Sequence, residues 1–341
     1  MSLDTAALSQ IANAMVAPGK GILAADESSG TIKKRFDSIS VESNEANRQT
    51  YRQMLFTTAG MADHISGVIL FDETIRQSTD DGVPFPKYLA DLGVIPGIKV
   101  DTGAKPLAGS PGETVTEGLD GLRERLAEYH ALGARFAKWR ATYSITDDLP
   151  SENCYRVNAH ALARYAALCQ EAGIVPIVEP EVLMDGTHSI DRAAEVTARA
   201  QQELFDELFR QCVYLPGTIL KPNMVLSGYS AATQAPDEEI AAKTLGVFKA
   251  TVPAAIPGIV FLSGGQSDED ATARLNLMNT MGPLPWALSF SYGRALQAPA
   301  LKAWGGQAGN LGAGQAAFAK RARLNGLAAK GEYAASMESA A

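Results

Sequence analysis

The chain has 341 residues, 46% of them hydrophobic, and 38 acidic against 30 basic side chains give it a net charge of −8. That is enough apolar material for one large core, no composition shift marks a second domain, and the acidic balance lacks the basic face that nucleic acid requires. Three widely spaced cysteines, Cys154, Cys169 and Cys212, argue against a disulfide frame or a zinc ribbon and favour the cytoplasm.

The opening residues, MSLDTAALSQIANAMVAPGKG, carry Asp4 and no basic leader, and their apolar spacing suits an amphipathic helix rather than a signal peptide. No apolar run approaches the roughly 18–20 residues of a membrane span. Eight short apolar runs follow: GILAAD (21–26), GVILFDET (67–74), PGIKVD (96–101), ARFAKWRA (134–141), IVPIVEPE (174–181), TILKPNMV (218–225), GIVFLSGG (258–265) and WALSFSYG (286–293). Runs of this kind read as strands buried on both faces, as parallel strands are.

Helical patterns fill the gaps. Leu122, Leu126 and Tyr129 share a stripe, Arg123, Glu124 and Arg125 face away, and Gly133 suits a C-terminal cap. Ser151 suits the N-cap of a helix that carries Leu162, Tyr165 and Cys169 and ends at Gly173. Another helix starts near Asp191 with Val196, Leu204 and Leu208, and shorter ones fit 237–248 and 267–278. GGQAGNLGAGQ (305–315) reads as a flexible loop, since no βαβ unit frames it for a dinucleotide. The alternation predicts an α/β fold: a single (β/α)8 TIM barrel within residues 1–330, with an N-terminal helix, a C-terminal helix and a flexible tail at 331–341.

Charge sits where these strands should be apolar. Period-2 alternation puts Lys138 with Arg140 on one face and Glu179 with Glu181 on another. Asp26 ends the first run on the side of Ile22 and Ala24, while Lys99 and Lys221 come late in the third and sixth. Five strands thus send charge to one end, where barrel enzymes keep their chemistry. A structural plug of ion pairs gains nothing from three lysines and an arginine, whereas clustered cations suit an anionic substrate. SGGQS (263–267) and SYGR (291–294) follow the last two runs, where barrels often hold a phosphate, and Arg294 can add charge-assisted hydrogen bonds. DESSG (26–30) is a second candidate, with Ser28 and Thr31 opening a helix and Lys34 and Arg35 close by.

At these residues the sequence resembles the class I, Schiff-base fructose-1,6-bisphosphate aldolases. The matching stretches are GILAADESSGTIKKR, GVILFDET, PGIKVD, FAKWR, IVPIVEPE, LKPNMV, FLSGGQS and WALSFSYGRALQAPALKAW, and they fall on every predicted strand. The resemblance implies that Lys221 condenses with the ketose carbonyl at C2, and that Glu179 is the general acid/base with Glu181 beside it. It also implies that Asp26 acts near the C4 hydroxyl, with Lys138 and Arg140 as cationic neighbours. Ser263, Gly264, Gly265, Ser291, Gly293 and Arg294 would serve the C1 phosphate; Ser28, Thr31 and Lys99 would serve the C6 phosphate, with Arg35 closing over it.

An iminium on Lys221 would draw electrons from the C3–C4 bond, so that no metal or other cofactor is needed. The amine must be neutral to attack; burial and the positive Lys138 are expected to favour that form. The implied substrate is a sugar bisphosphate and the implied assembly a cytoplasmic homotetramer. The chain departs from the animal-type pattern by ending in SMESAA rather than in a tyrosine that exchanges the enamine proton; its last tyrosine is Tyr333, and that role stays unassigned.

Three rival readings differ in class. A metal-dependent aldolase needs several histidines, and of His64, His130, His160 and His188 only the last is expected near the mouth. A non-catalytic sugar-phosphate-binding or partner-binding barrel would be expected to lack a member of the set Lys221, Lys138, Glu179 and Asp26. Sedoheptulose bisphosphate suits two phosphate sites as well as fructose 1,6-bisphosphate does, and fructose 1-phosphate would be a weaker substrate.

Overall fold

Each of the eight apolar runs overlaps a strand in the computed structural model, which describes residues 3–339. In chain order the strands are β1 (Gly21–Ala25), β2 (Ile65–Leu70), β3 (Ile95–Lys99), β4 (Gly103–Pro106), β5 (Thr114–Glu117), β6 (Phe136–Tyr143), β7 (Val175–Val182), β8 (Ile219–Leu220), β9 (Gly258–Phe261) and β10 (Ala287–Tyr292). All but β4 and β5 pair in parallel and close into a barrel of order β1-β10-β9-β8-β7-β6-β3-β2. Helices cover the outside, as the βαβ alternation requires.

The lower half of the barrel is filled by Ile22, Ala24, Ile69, Phe136, Val175, Ile177, Ile219 and Val260. Leu8, Ala12, Met15 and Val16, from the Thr5–Met15 helix and its end, join that cluster and plug the barrel at the strand starts. Phe136 takes more than its share of the interior because Gly67 and Gly97 flank it; a methyl group on Gly97 would overlap the ring. Side chains of the opposite parity pack outward under the helices, as Leu23, Val68, Trp139 and Val178 do.

Helix starts follow their caps. Ser151 accepts from the Cys154 N–H at 3.2 Å and opens Glu152–Glu171; Ser189 opens Ile190–Arg210 and Ser267 opens Asp268–Thr280 in the same way.

Several expectations need correction. The second run begins its strand at Ile65 and leaves it at Leu70, and Asp72–Ile75 is a helical turn in which Asp72 accepts from Tyr129 Oη and Arg76. The sixth run is a strand only over Ile219–Leu220. Pro222 has no N–H to give, and side chains replace the ladder beyond it: Asn223 Oδ1 accepts from Val182 N–H, and Val225 N–H donates to Thr244 Oγ1. The hairpin β4–β5 was not foreseen, since its strands are short and polar. The loop expected at 305–315 stops at Asn310, after which Leu311–Ala328 is helical; Gly314 lies in that helix at a point where Met54 and Trp304 leave no room for a Cβ. The tail does not hang free over its described residues: Tyr333 is buried, its N–H donates to Asn276 Oδ1, and Glu338 pairs with Arg321. Residues 340 and 341, also part of the expected tail, lie outside the described residues.

Candidate active site

The alternation that fills the lower barrel with apolar side chains continues upward with charged ones. Phe136 is followed on the same face by Lys138 and Arg140, Ile177 by Glu179 and Glu181, Ala24 by Asp26, Gly97 by Lys99, and Ile219 by Lys221. They meet in a polar cavity of about 270 Å³ at the C-terminal ends of the strands, the scale of a small ligand rather than a polymer.

Lys138 is the hub. Its Nζ lies 2.8 Å from Asp26 Oδ2, 3.5 Å from Glu179 Oε2 and 3.9 Å from Asp101 Oδ2. Burial alone would discharge it, but Asp26, Glu179 and Asp101 outweigh burial and push its pKa above the ordinary lysine range. Asp26 is the converse. Burial raises its pKa, yet Lys138, Lys221 and Lys99 together hold it below the usual carboxylate range.

Glu179 stands between two amines. Its Oε1 is 3.3 Å from Lys221 Nζ, its Oε2 faces Lys138, and Oε2 is buried without accepting a hydrogen bond. A carboxylate so placed can pass a proton to or from whatever forms on Lys221. Glu181 pairs with Arg140 instead, so the two acids of β7 have different partners.

The rim is built from loops. Arg294 Nη2 donates to the carbonyls of Gly264 and Gln266 at 2.8 and 2.9 Å, tying the loop after β9 to the helix after β10. Gly264 has φ +56°, a left-handed conformation that glycine adopts without strain. Ser291 lines the cavity with a buried hydroxyl that has no hydrogen-bond partner among the described residues. On the opposite side Ser28 is the N-cap of Ser29–Asp37 and its hydroxyl lies 3.2 Å from that of Thr31, and both residues line the cavity, so a helix N-terminus suited to an anion opens beside it.

Asp26, Ser28, Thr31, Arg35, Lys99, Lys138, Arg140, Glu179, Glu181, Lys221, Ser263, Gly264, Ser291, Gly293 and Arg294 all line this one cavity. Gly265 does not. It packs behind the loop, where an added Cβ would strike the Tyr229 hydroxyl. Two acids escaped the sequence reading. Asp101 continues the face of Lys99, so alternation could have found it; its Oδ1 lies 3.5 Å from Lys99 Nζ and accepts from Gly103 N–H of the unforeseen hairpin. Glu27 has the opposite parity to Asp26 and is buried only because helices from elsewhere cover it. No local signal marks it.

The histidines are scattered. His64 precedes β2, His130 and His160 are on outer helices, and His188, after β7, is not among the cavity residues. Among the described residues no group of three His, Cys, Asp or Glu could hold a metal ion. No helix there is long and apolar enough to cross a membrane. Tyr333 is away from the cavity lining; burial and the Glu338 carboxylate, to which its hydroxyl donates at 3.1 Å, push its pKa up to about 12.

Comparison with known proteins gives a consistent likeness. The sequence model of the family described as fructose-bisphosphate aldolase class-I matches residues 7–341. A protein of Xanthomonas campestris named "Probable fructose-bisphosphate aldolase class 1" is 61% identical over 327 residues, 96% of this chain and 98% of its own. Fructose-bisphosphate aldolase A of Salmo salar is 54% identical over 98% of this chain and 93% of its own. The structure is similar to that of fructose-bisphosphate aldolase from Plasmodium falciparum, solved in complex with TRAP and a small-molecule inhibitor, with a TM-score of 0.96, 46% identity and 98% of each chain covered.

Proposed function

This chain belongs to the class-I fructose-bisphosphate aldolase family and is a lyase of glycolysis, and from that premise we propose that it cleaves its substrate through a Schiff base on Lys221. The observation that carries the reading is the Glu179 carboxylate, 3.3 Å from Lys221 Nζ at the closed end of a cation-lined cavity. The Lys221 amine attacks the C2 carbonyl of fructose 1,6-bisphosphate, and Glu179 protonates the departing hydroxyl of the carbinolamine as the imine forms. Asp26, kept ionised by the surrounding lysines, takes the C4 hydroxyl proton while the C3–C4 electron pair flows into the iminium. Glyceraldehyde 3-phosphate leaves. The enamine is then protonated at C3, and hydrolysis of the imine releases dihydroxyacetone phosphate.

Lys138 serves as the fixed cation of the site rather than as its nucleophile, since three carboxylates surround it. Glu181 holds Arg140 in place. We assign the loops after β9 and β10, through Ser263, Gly264, Ser291, Gly293 and Arg294, to the C1 phosphate. Ser28, Thr31, Lys99 and Arg35 are assigned to the C6 phosphate. Two anchored phosphates set the chain in register for attack. Gly265 supports its loop from behind. A homotetramer in the cytoplasm belongs to the same proposal, on the strength of family membership.

Borohydride reduction with dihydroxyacetone phosphate tests the central step. The adduct is expected on Lys221, and Lys221→Met should remove both adduct and cleavage. Peptide mapping that puts the adduct on Lys138 would reverse the two roles.

A further inference from the structure

Glu27 takes no part in the chemistry above, yet three donors converge on its buried carboxylate. Arg35 Nη1 pairs with Oε1, Gln297 Nε2 donates to Oε1 at 2.8 Å, and Arg52 Nη2 donates to Oε2 at 2.7 Å. Gln297 is itself fixed, because its Nε2 donates to Ala24 O at 2.7 Å and its Oε1 accepts from Tyr51 Oη at 3.0 Å. The acid is therefore locked to β1, to the Glu45–Phe56 helix and to the Arg294–Trp304 helix at once.

The two arginines differ in what they can do. Arg52 is 2% exposed and spends its charge inside the protein, whereas Arg35 is 23% exposed and lines the cavity one helical turn after Thr31. One buried anion with two cations leaves one positive charge over, and the geometry leaves it on the arginine that faces the substrate. An exposed arginine would otherwise sample many rotamers; a buried acid gripping one edge of its fork removes that freedom and leaves other donors for an incoming anion.

We propose that Glu27 is a positioning residue: with Arg52 as its neutralising partner, it holds Arg35 at the rim where the C6 phosphate of the sugar binds. The inference rests on the assignment of Arg35 to that phosphate. Its consequence is selective. A substrate without the C6 phosphate gains nothing from Glu27.

The test compares fructose 1,6-bisphosphate with fructose 1-phosphate. In Glu27→Gln the bisphosphate should lose about tenfold in kcat/KM, through KM with kcat within about twofold, the size expected for one charged hydrogen bond. Fructose 1-phosphate should change less than about twofold. Arg35→Ala should show the same selectivity, and adding Glu27→Gln to it should cost nothing more. Equal losses on both substrates in Glu27→Gln, or losses that multiply in the double variant, would overturn the positioning role. Arg35→Ala that fails to discriminate the substrates would overturn the C6 assignment and the inference with it. Should Glu27→Gln not fold, by circular dichroism, Glu27→Gln with Arg52→Met removes both buried charges and carries the same comparison.

Discussion

Lys138 and Asp26 illustrate why single residues here cannot be judged by their own burial. Each would be neutralised if buried alone, and each stays charged because the other is 2.8 Å away with further charges behind it. Asp26→Asn removes one member, and losing one partner of a buried pair costs about 3 kcal/mol at neutral pH. The depressed Asp26 pKa fixes the sign. Its contribution is fully present above its unfolded pKa of about 4, and is lost as pH falls below that value towards the folded one. Urea unfolding should therefore show wild type and Asp26→Asn converging below about pH 4; a constant gap down to acid pH would contradict the pairing. Tyr333 makes the opposite case, a titratable group that is not among the residues lining the cavity. Tyr333→Phe is expected to keep tritium exchange from dihydroxyacetone phosphate within about twofold of wild type, no change in transition-state stabilisation being removed with it. A marked loss would make it the enamine-protonating group.

Elements form where local signals and packing agree. The Glu152–Glu171 helix has a serine cap that also donates to the buried Glu113 carboxylate at 2.6 Å, while Glu113 takes the Ser151 N–H at 2.7 Å. That single hydroxyl joins helix start to the segment leading into β5. Ser151→Ala should lower stability by about 2 kcal/mol, one cap plus one hydrogen bond to a charged group. A urea midpoint shift with an unchanged slope would register it, and kcat/KM should stay near wild type because Ser151 is not a cavity residue. β8 is the reverse case. TILKPNMV has the composition of a strand, but Pro222 has no N–H to donate and its carbonyl takes a last ladder bond from Leu262 N–H, after which the Asn223 and Thr244 side chains satisfy backbone groups. The interruption falls next to the proposed nucleophile.

At the scale of the molecule, the barrel divides into a dry lower half, plugged by the Thr5–Met15 helix, and a charged upper half. For the proposed homotetramer, analytical ultracentrifugation is expected to return four times the chain mass over a wide range of protein concentration. A monomer at micromolar concentration would remove that part of the proposal while leaving the site chemistry intact.

The eight barrel strands and most of the residues that line the cavity were legible from the chain alone. The reason is physical: parallel strands buried on both faces must be apolar throughout, so Lys138, Glu179 and Lys221 stand out against their own neighbours. The loop proposed to hold a phosphate announces itself through small residues at fixed places, as SGGQS does. Tertiary structure alone decided what depends on distant segments. Glu27 is buried by two helices that begin 18 and 267 positions later in the chain, and Gly265 is turned from the cavity by Tyr229. Asp101 owes part of its fixation to a hairpin with no strong strand pattern of its own. Periodicity reports which side of its own strand a residue occupies. Which partner arrives from elsewhere to meet it is settled only when the barrel closes.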